Sequence, residues 1–310
     1  MRAFAFDAFA EPGSIHELPD PQPAEGQVRV LVRAASLNAF DGFVVQGYLK
    51  DRMEHHFPLV PCSDLSGTID LLGRGVDGFV VGDPVFGITG RMLGEGTLAE
   101  LTTAAAVNIA RRPAAIDDRE AAALPLAGVS ALMSVEAADP RPGGVVVIIG
   151  ASGGIGGYAV QLAVHRGAQV IGVTSSDHLD YVRSLGAADA IDRTAGDVLE
   201  ALTSRHRDGV DVIIDTASDA GGLARLSGLV RKGGAVISMR GSAAADELAK
   251  RGIKGVNIQT QVTTERLTQL STLRAEGKLK VPMIHTYALE DAGNAFKAFG
   301  HSGGKIVVTM

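Results

Sequence analysis

The chain has 310 residues, 46% hydrophobic and 21% charged, which excludes long disorder or a fibrous repeat and leaves room for two separate cores. A net charge of −6, 5% aromatic residues and no Trp supply neither the basic field nor the stacking surface of a nucleic-acid binder. One cysteine, Cys62, excludes an internal disulfide and a zinc site of four thiolates.

Residues 1–7 alternate and reach the charge of Asp7 early, so they lack the unbroken apolar stretch of a leader peptide. With one cysteine, this predicts a reducing cytoplasm. Pro19, Pro21 and Pro23 forbid regular structure and predict a surface turn. Residues 27–33 alternate polar and apolar with period two, the pattern of a strand. Residues 66–70 and 79–87 are short apolar runs broken by Gly and Pro, as in a turn-rich β domain. The texture changes near Pro113, and Asp117 and Asp118 precede an Ala-rich helix start at 119–124. From Val145 strands and helices alternate. Strands are predicted at 145–149, 169–173, 190–191, 211–215, 235–239 and 256–260, and helices up to Arg166 and at 178–185, 198–205 and 222–230. The longest apolar run, near 145–149, is too short for ~30 Å of hydrocarbon, so no membrane partner is expected. Continuous Val/Ile runs separated by helices predict an α/β fold with a parallel, doubly wound sheet. A helix at 264–276, another at 289–299 and a strand at 305–308 complete the chain.

The strongest local signal is Ile149-Gly150-Ala151-Ser152-Gly153-Gly154-Ile155-Gly156, between a buried strand and a helix. Glycines let the backbone approach a pyrophosphate, and the free N–H groups at the helix start meet its charge. The second strand ends in Thr174 and Ser175, where NAD-binding folds usually place an acid for the ribose hydroxyls. Hydroxyls there, with His178 and Arg193, suit the 2′-phosphate of NADP(H). Ser175, Ser176 and Asp177 also read as caps of the next helix, and both roles are compatible.

In order along the chain, 36–41, 61–67, 81–86, 98–100, 124–131, the Gly-rich loop and 303–308 resemble one family's motifs. The family is the zinc-free quinone oxidoreductase branch, with zeta-crystallin, of the medium-chain dehydrogenase/reductase superfamily. The resemblance runs nearly end to end. It implies a GroES-like β-rich catalytic domain built from both chain ends, 1–118 and 264–310, around a Rossmann domain at 119–263. It implies a homodimer, for which 253–261 would supply a strand across a two-fold axis. By the same resemblance, Asn38 and Ser63 stand where zinc alcohol dehydrogenases carry Cys and His. An amide and a hydroxyl are poor zinc ligands, so no metal is expected. A short-chain dehydrogenase would need a Tyr-x-x-x-Lys pair, and Tyr158, Tyr181 and Tyr287 have Leu162, Leu185 and Asp291 four residues on.

Without metal or Tyr-Lys pair, the expected chemistry is hydride transfer to an already electrophilic acceptor, a quinone or an α,β-unsaturated carbonyl. The resemblance points to Asn38, Asp41 and Tyr48 as catalytic candidates, with Asn38 donating its amide to the acceptor oxygen or the nicotinamide ribose. Asn38 and Asp41 are equally at home in a plain turn. Ser130 stands at the family's Thr position near the nicotinamide, or bonds back to its own helix. Ala217, Met239 and Arg240 follow the fourth and fifth strands at the carboxyl edge, where ligands collect. A nucleotide-binding protein without turnover, structural or sensory, shares every one of these cofactor features and stays open at this point.

Overall fold

The computed structural model describes residues 1–90, 94–300 and 303–310. Two units emerge: Met1–Leu126 with Val262–Gly277 and Met283–Met310, and Ala127–Gln261 with Lys278–Pro282.

The first unit opens with an antiparallel hairpin, β1 (Arg2–Ala5) and β2 (Ser14–Glu17). Then come β3 (Gln27–Ser36), helix α1 (Ala39–Val45), β4 (Asp64–Leu72), β5 (Pro84–Ile88), β6 (Leu101–Ala105), β7 (Ile109–Arg111) and helix α2 (Asp118–Ala123). The alternation read at 27–33 is real: Val28, Val30 and Val32 are buried, and Val28 and Val30 pack with Leu65, Ile69 and Val85. The run at 79–87 is strand only from Pro84. Val80 and Val81 are each 59% exposed, because Asp83 accepts the Val80 N–H at 2.9 Å and closes a turn before the proline.

Helix α3 (Pro125–Ala138), with proline in its first turn, leads into the second unit. There β8 (Val145–Ile149), α4 (Gly154–His165), β9 (Gln169–Thr174), α5 (Leu179–Ser184), β10 (Asp189–Asp192), α6 (Val198–Arg205), β11 (Val210–Asp215), α7 (Ala220–Leu226), β12 (Val230–Ser238), α8 (Ala245–Lys250) and β13 (Lys254–Asn257) follow one another. The six strands lie in the order β10-β9-β8-β11-β12-β13, every pair parallel. This is the doubly wound arrangement, and Val147, Ile171, Val173, Ile213 and Val236 form its core. The last strand differs from its sequence expectation of 256–260. It begins two residues earlier, where Gly255 lets α8 pack close; a Cβ there would stand 2.8 Å from Ala245 Cα.

The chain then completes the first unit with α9 (Thr264–Ala275), β14 (Ile284–Ala288), α10 (Ala292–Ala298) and β15 (Lys305–Thr309). Strand β15 pairs antiparallel with β3, so both chain ends share one sheet, of order β14-β15-β3-β4-β5-β7 with β6 beside β3. The sequence boundary at 118/119 and the structural one at 126/127 differ by helix α2, which Ser66 Oγ anchors to this unit by donating to Asp118 at 2.7 Å. Within the second unit, Gln161 exchanges two hydrogen bonds with the backbone of Lys280, which holds Lys278–Pro282 there.

Helix α4 approaches the strand before it through glycine. A Cβ on Gly156 would stand 2.1 Å from the Gly150 carbonyl oxygen, while one on Gly153 meets only that oxygen at 3.3 Å. Gly156→Ala should therefore cost about 1–3 kcal/mol by overpacking. Thermal unfolding should record a lowered Tm for Gly156→Ala, and little change for Gly153→Ala.

Candidate active site

The Gly-rich loop sits at the carboxyl ends of β8, β9 and β11. Gly150 has φ +79°, a conformation that only glycine adopts without strain, and Gly153 begins α4 without a side-chain cap. The first-turn N–H groups of Gly154, Ile155 and Gly156 are thus left to a ligand rather than to a neighbouring side chain. Ser152 Oγ accepts from Thr174 Oγ1 at 2.7 Å, which leaves its own proton to donate outward. Ala151 is buried beneath the loop, and Ala217 lies beside Gly150, whose Cβ would meet it at 3.1 Å. Asp215 closes this edge: its Oδ1 accepts the N–H groups of Ala217 (3.3 Å) and Ser218 (2.9 Å), and its buried Oδ2 has no partner. These residues fit a dinucleotide: the loop would hold the pyrophosphate, which supplies the negative charge an uncapped helix start favours.

At the tip of β9, Ser175 Oγ meets His178 Nδ1 at 3.1 Å. Arg193 follows β10, whose Asp192 pairs with Thr174, and its N–H donates to the Thr174 carbonyl at 2.8 Å. Asp192 feels the Arg193 charge, but its hydrogen bonds go to Thr194. Its carboxylate takes the hydroxyl and N–H of Thr194 at 2.6 and 2.8 Å, and these hydrogen bonds hold its pKa below the usual carboxylate range. Ser130 is buried, with Oγ 2.7 Å from Thr260 Oγ1; the back-bond to the helix falls instead to Ser134, whose hydroxyl donates to the Ser130 carbonyl. Met239 and Arg240 follow β12, with the Met239 sulfur 3.1 Å from Ser134 Oγ and the Arg240 N–H donating to Ser238 Oγ.

In the first unit, Asn38 and Tyr48 border one cavity of about 740 Å³. Five of the 10 Phe and one of the 4 Tyr line it, in a chain otherwise poor in rings. Phe43 and Tyr48 stand 6.1 Å apart at its side, and Lys297 and Asn294 add polar groups. Asp41 is not part of that wall. It is 2% exposed and turns inward, its carboxylate accepting the Asn38 N–H at 2.7 Å as a helix cap. Burial pushes its pKa up to about 7, with the Asp64 charge adding to the rise and Lys305 opposing it. Cys62, held at φ +70°, places its thiol against Asp41, and burial raises that thiol's pKa in turn.

Sequence reasoning missed Lys305 and gave Asp64 no chemical part. Lys305, 3% exposed, donates to Asn38 Oδ1 at 2.7 Å and to the Leu37 carbonyl at 3.0 Å, and lies 3.5 Å from Asp64. Asp64, fully buried, accepts from Asn38 Nδ2 at 3.0 Å and from the Leu126 N–H at 3.1 Å; burial raises its pKa against the pull of Lys305. Ser63, at the other position resembling a zinc ligand, is buried with its hydroxyl unpartnered. His55 packs edge-on against Phe9 with both ring nitrogens buried, whereas His56 is exposed. Among the described residues, no three His, Cys, Asp or Glu side chains form a metal-binding group.

A doubly wound sheet with a glycine loop in one unit, and a β-rich unit built from both chain ends, make the build of a nicotinamide-dependent oxidoreductase. Residues 24–114 match the family described as alcohol dehydrogenase GroES-like domain, and residues 154–276 the family described as zinc-binding dehydrogenase. The chain is 31% identical to the chloroplastic quinone oxidoreductase QR1 of Triphysaria versicolor, over 99% of this chain and 98% of that one. It is 29% identical to the chloroplastic NADPH-dependent alkenal/one oxidoreductase of Arabidopsis thaliana, covering 93% and 73%. The quinone oxidoreductase structure from Coxiella burnetii superposes with a TM-score of 0.90 at 28% identity, covering 100% and 99%. The chain belongs to the zinc-free quinone oxidoreductase branch of the medium-chain dehydrogenase/reductase superfamily. It is an oxidoreductase enzyme, and the reading as a nucleotide-binding protein without turnover gives way. Among the described residues no helix is long and apolar enough to cross a membrane.

Two predictions follow from this geometry. Gly153→Val should weaken nicotinamide cofactor binding about tenfold or more in a folded protein, as read by calorimetry, since a side chain at Gly153 would stand at the helix start whose N–H groups are left for an anion. The Asp41 carboxyl, about 7 when folded against 3.8 in an open chain, binds more protons folded than unfolded between those values. Its contribution to stability is full below the lower value and lost as pH rises through about 7, amounting to up to about 4 kcal/mol. Asp41→Asn keeps the cap but removes this titration. The variant should gain stability over the parent as pH rises from about 4 to 8, measured by urea unfolding.

Proposed function

We propose that the enzyme uses NADPH to reduce quinones or α,β-unsaturated carbonyls without a metal. The observation that carries the cofactor choice is the tip of β9: Thr174 and Ser175 stand there in place of an acid, and Arg193 is bonded through its backbone to Thr174. A planar guanidinium suits a phosphate dianion, and Ser175 and His178 add donors around it. The names of the relatives, a quinone oxidoreductase and an NADPH-dependent alkenal/one oxidoreductase, support the same reading.

When bound, the nicotinamide supplies the hydride. What the chain adds is placement: the loop from Ala151 to Gly156 and the groups at Ser130, Ala217, Met239 and Arg240 hold the cofactor. The apolar cavity at Phe43 and Tyr48 receives a flat acceptor and keeps water from it, with Asn38 at its border as hydrogen-bond donor to the acceptor oxygen. Asp41 serves from below, by capping the helix that carries Asn38. A homodimer through β13, which has β12 as its strand neighbour on one side, belongs to the same proposal.

The test is oxidation of NADPH and NADH with a panel of quinones and enones. NADPH should be preferred by ~10–150-fold at low salt, as expected for one charge-assisted contact, and less at high salt. Arg193→Ala should erase most of that preference and leave NADH binding nearly unchanged. Equal affinity for both cofactors would remove the 2′-phosphate site, and absence of turnover with the whole panel would remove the acceptor assignment.

A further inference from the structure

We infer that Lys305 and Asp64 are positioning residues that hold the Asn38 amide in one orientation, as hydrogen-bond donor to the acceptor's carbonyl oxygen. The inference rests on the acceptor reading above.

A lysine buried only to neutralise a carboxylate makes its shortest bond to that carboxylate, at about 2.7–2.9 Å. Lys305 does not. Its shortest bond, 2.7 Å, goes to Asn38 Oδ1, and Asp64 lies at 3.5 Å. The amide stands between the two charges, Oδ1 toward the ammonium and Nδ2 3.0 Å from Asp64 Oδ2. Turning the amide over would set NH₂ against the ammonium and carbonyl oxygen against the carboxylate, two repulsive contacts with buried charges. The flip state is therefore dictated by the surrounding charges rather than chosen freely. The backbone is pinned as well, through the Asn38 N–H to Asp41.

One of the two Nδ2 hydrogens is spent on Asp64. The other has only the Ser36 carbonyl, at 3.4 Å, beyond the ordinary range of 2.7–3.2 Å. Asn38 borders the aromatic cavity, so a weakly used donor lies on a residue at the acceptor's place. A cation on the carbonyl end of an amide polarises its N–H groups, and a donor that needs no reorganisation acts best as negative charge grows on the acceptor oxygen.

The test compares Lys305→Met, Lys305→Gln and the parent enzyme. In Lys305→Met, kcat with a quinone acceptor should fall about 100-fold, the low end for loss of one preorganised donor. The Kd for NADPH should stay within about twofold, because its contacts are elsewhere. Lys305→Gln, which still offers an N–H to Oδ1, should recover most of the loss. In ¹⁵N-labelled parent protein the two side-chain protons of Asn38 should resonate away from the ordinary values of a solvated asparagine amide and exchange slowly with water, and one of them should move when a non-reducible quinone analogue is added. In Lys305→Met both should shift back to the ordinary values and exchange faster. Unchanged kcat in Lys305→Met overturns the inference, as does an equal loss in Lys305→Gln. If Lys305→Met does not fold, the pair Lys305→Met with Asp64→Asn removes both charges together, and parental kcat in that variant overturns it. A parent enzyme inert toward all quinones and enones removes the acceptor reading instead; the Asn38 resonances, which need no turnover, still decide whether the clamp exists.

Discussion

Burying an ammonium and a carboxylate together costs several kcal/mol per ion unless every donor and acceptor is met, and the first unit is arranged around meeting that condition. Lys305 comes from the last strand of the chain and Asp64 from β4, with Asn38 and Leu37 between them at the start of α1. The ammonium reaches its partners because β15 lies beside β3 in the register Val307 to Ser36. A slip of one residue would turn Lys305 to the opposite face and leave Asp64 charged in the dark. The polar cluster thus specifies the strand register, the start of α1 and the orientation of Asn38 at once. Asp41 feels the same surroundings: a further charge in so dry a place is disfavoured, and its carboxyl protonates near neutrality.

The second unit depends on a different constraint, the distance of closest approach between a helix and its sheet. At Gly156, and again at Gly172, where a Cβ would stand 2.3 Å from Val182, the packing leaves no space for a side chain. Close packing brings the α4 start down onto the β8 end, and the absent cap at Gly153 leaves its N–H groups for an anion. Glycine serves two separate ends within one loop. Gly156 serves the packing and Gly153 the uncapped helix start, and the motif alone does not distinguish them.

Much of the backbone geometry at the candidate cofactor site was legible in order along the chain, because such a loop is local in sequence. The loop follows one strand and opens one helix, and the strand order brings Arg193 beside Thr174 as soon as the sheet is recognised as doubly wound. The cluster at Asn38 was legible only in part. Asn38 and Asp41, three residues apart, read as a turn or a catalytic pair, and the structure sends them to different places, one to the edge of a cavity and one into the core. Lys305 carried a signal in the Gly-Gly-Lys turn before the last strand, but its partners lie more than two hundred residues away, at a separation no local pattern spans. The aromatic cavity was hidden for the same reason: Phe4, Phe43 and Phe296 come from three distant segments.

The sequence by itself determined the alternation of Val-rich strands with helices, the glycine loop between them, the acid-free tip of the second strand and the return of the chain to a terminal strand. Each of these is set by period, by backbone freedom or by the chemistry of adjacent residues. Only the tertiary structure decided which way the Asn38 amide points, that Asp41 is a buried cap and that a lysine near the carboxyl end balances Asp64. Those outcomes depend on desolvation and on charges meeting across strand pairings, and neither exists until the sheet has closed.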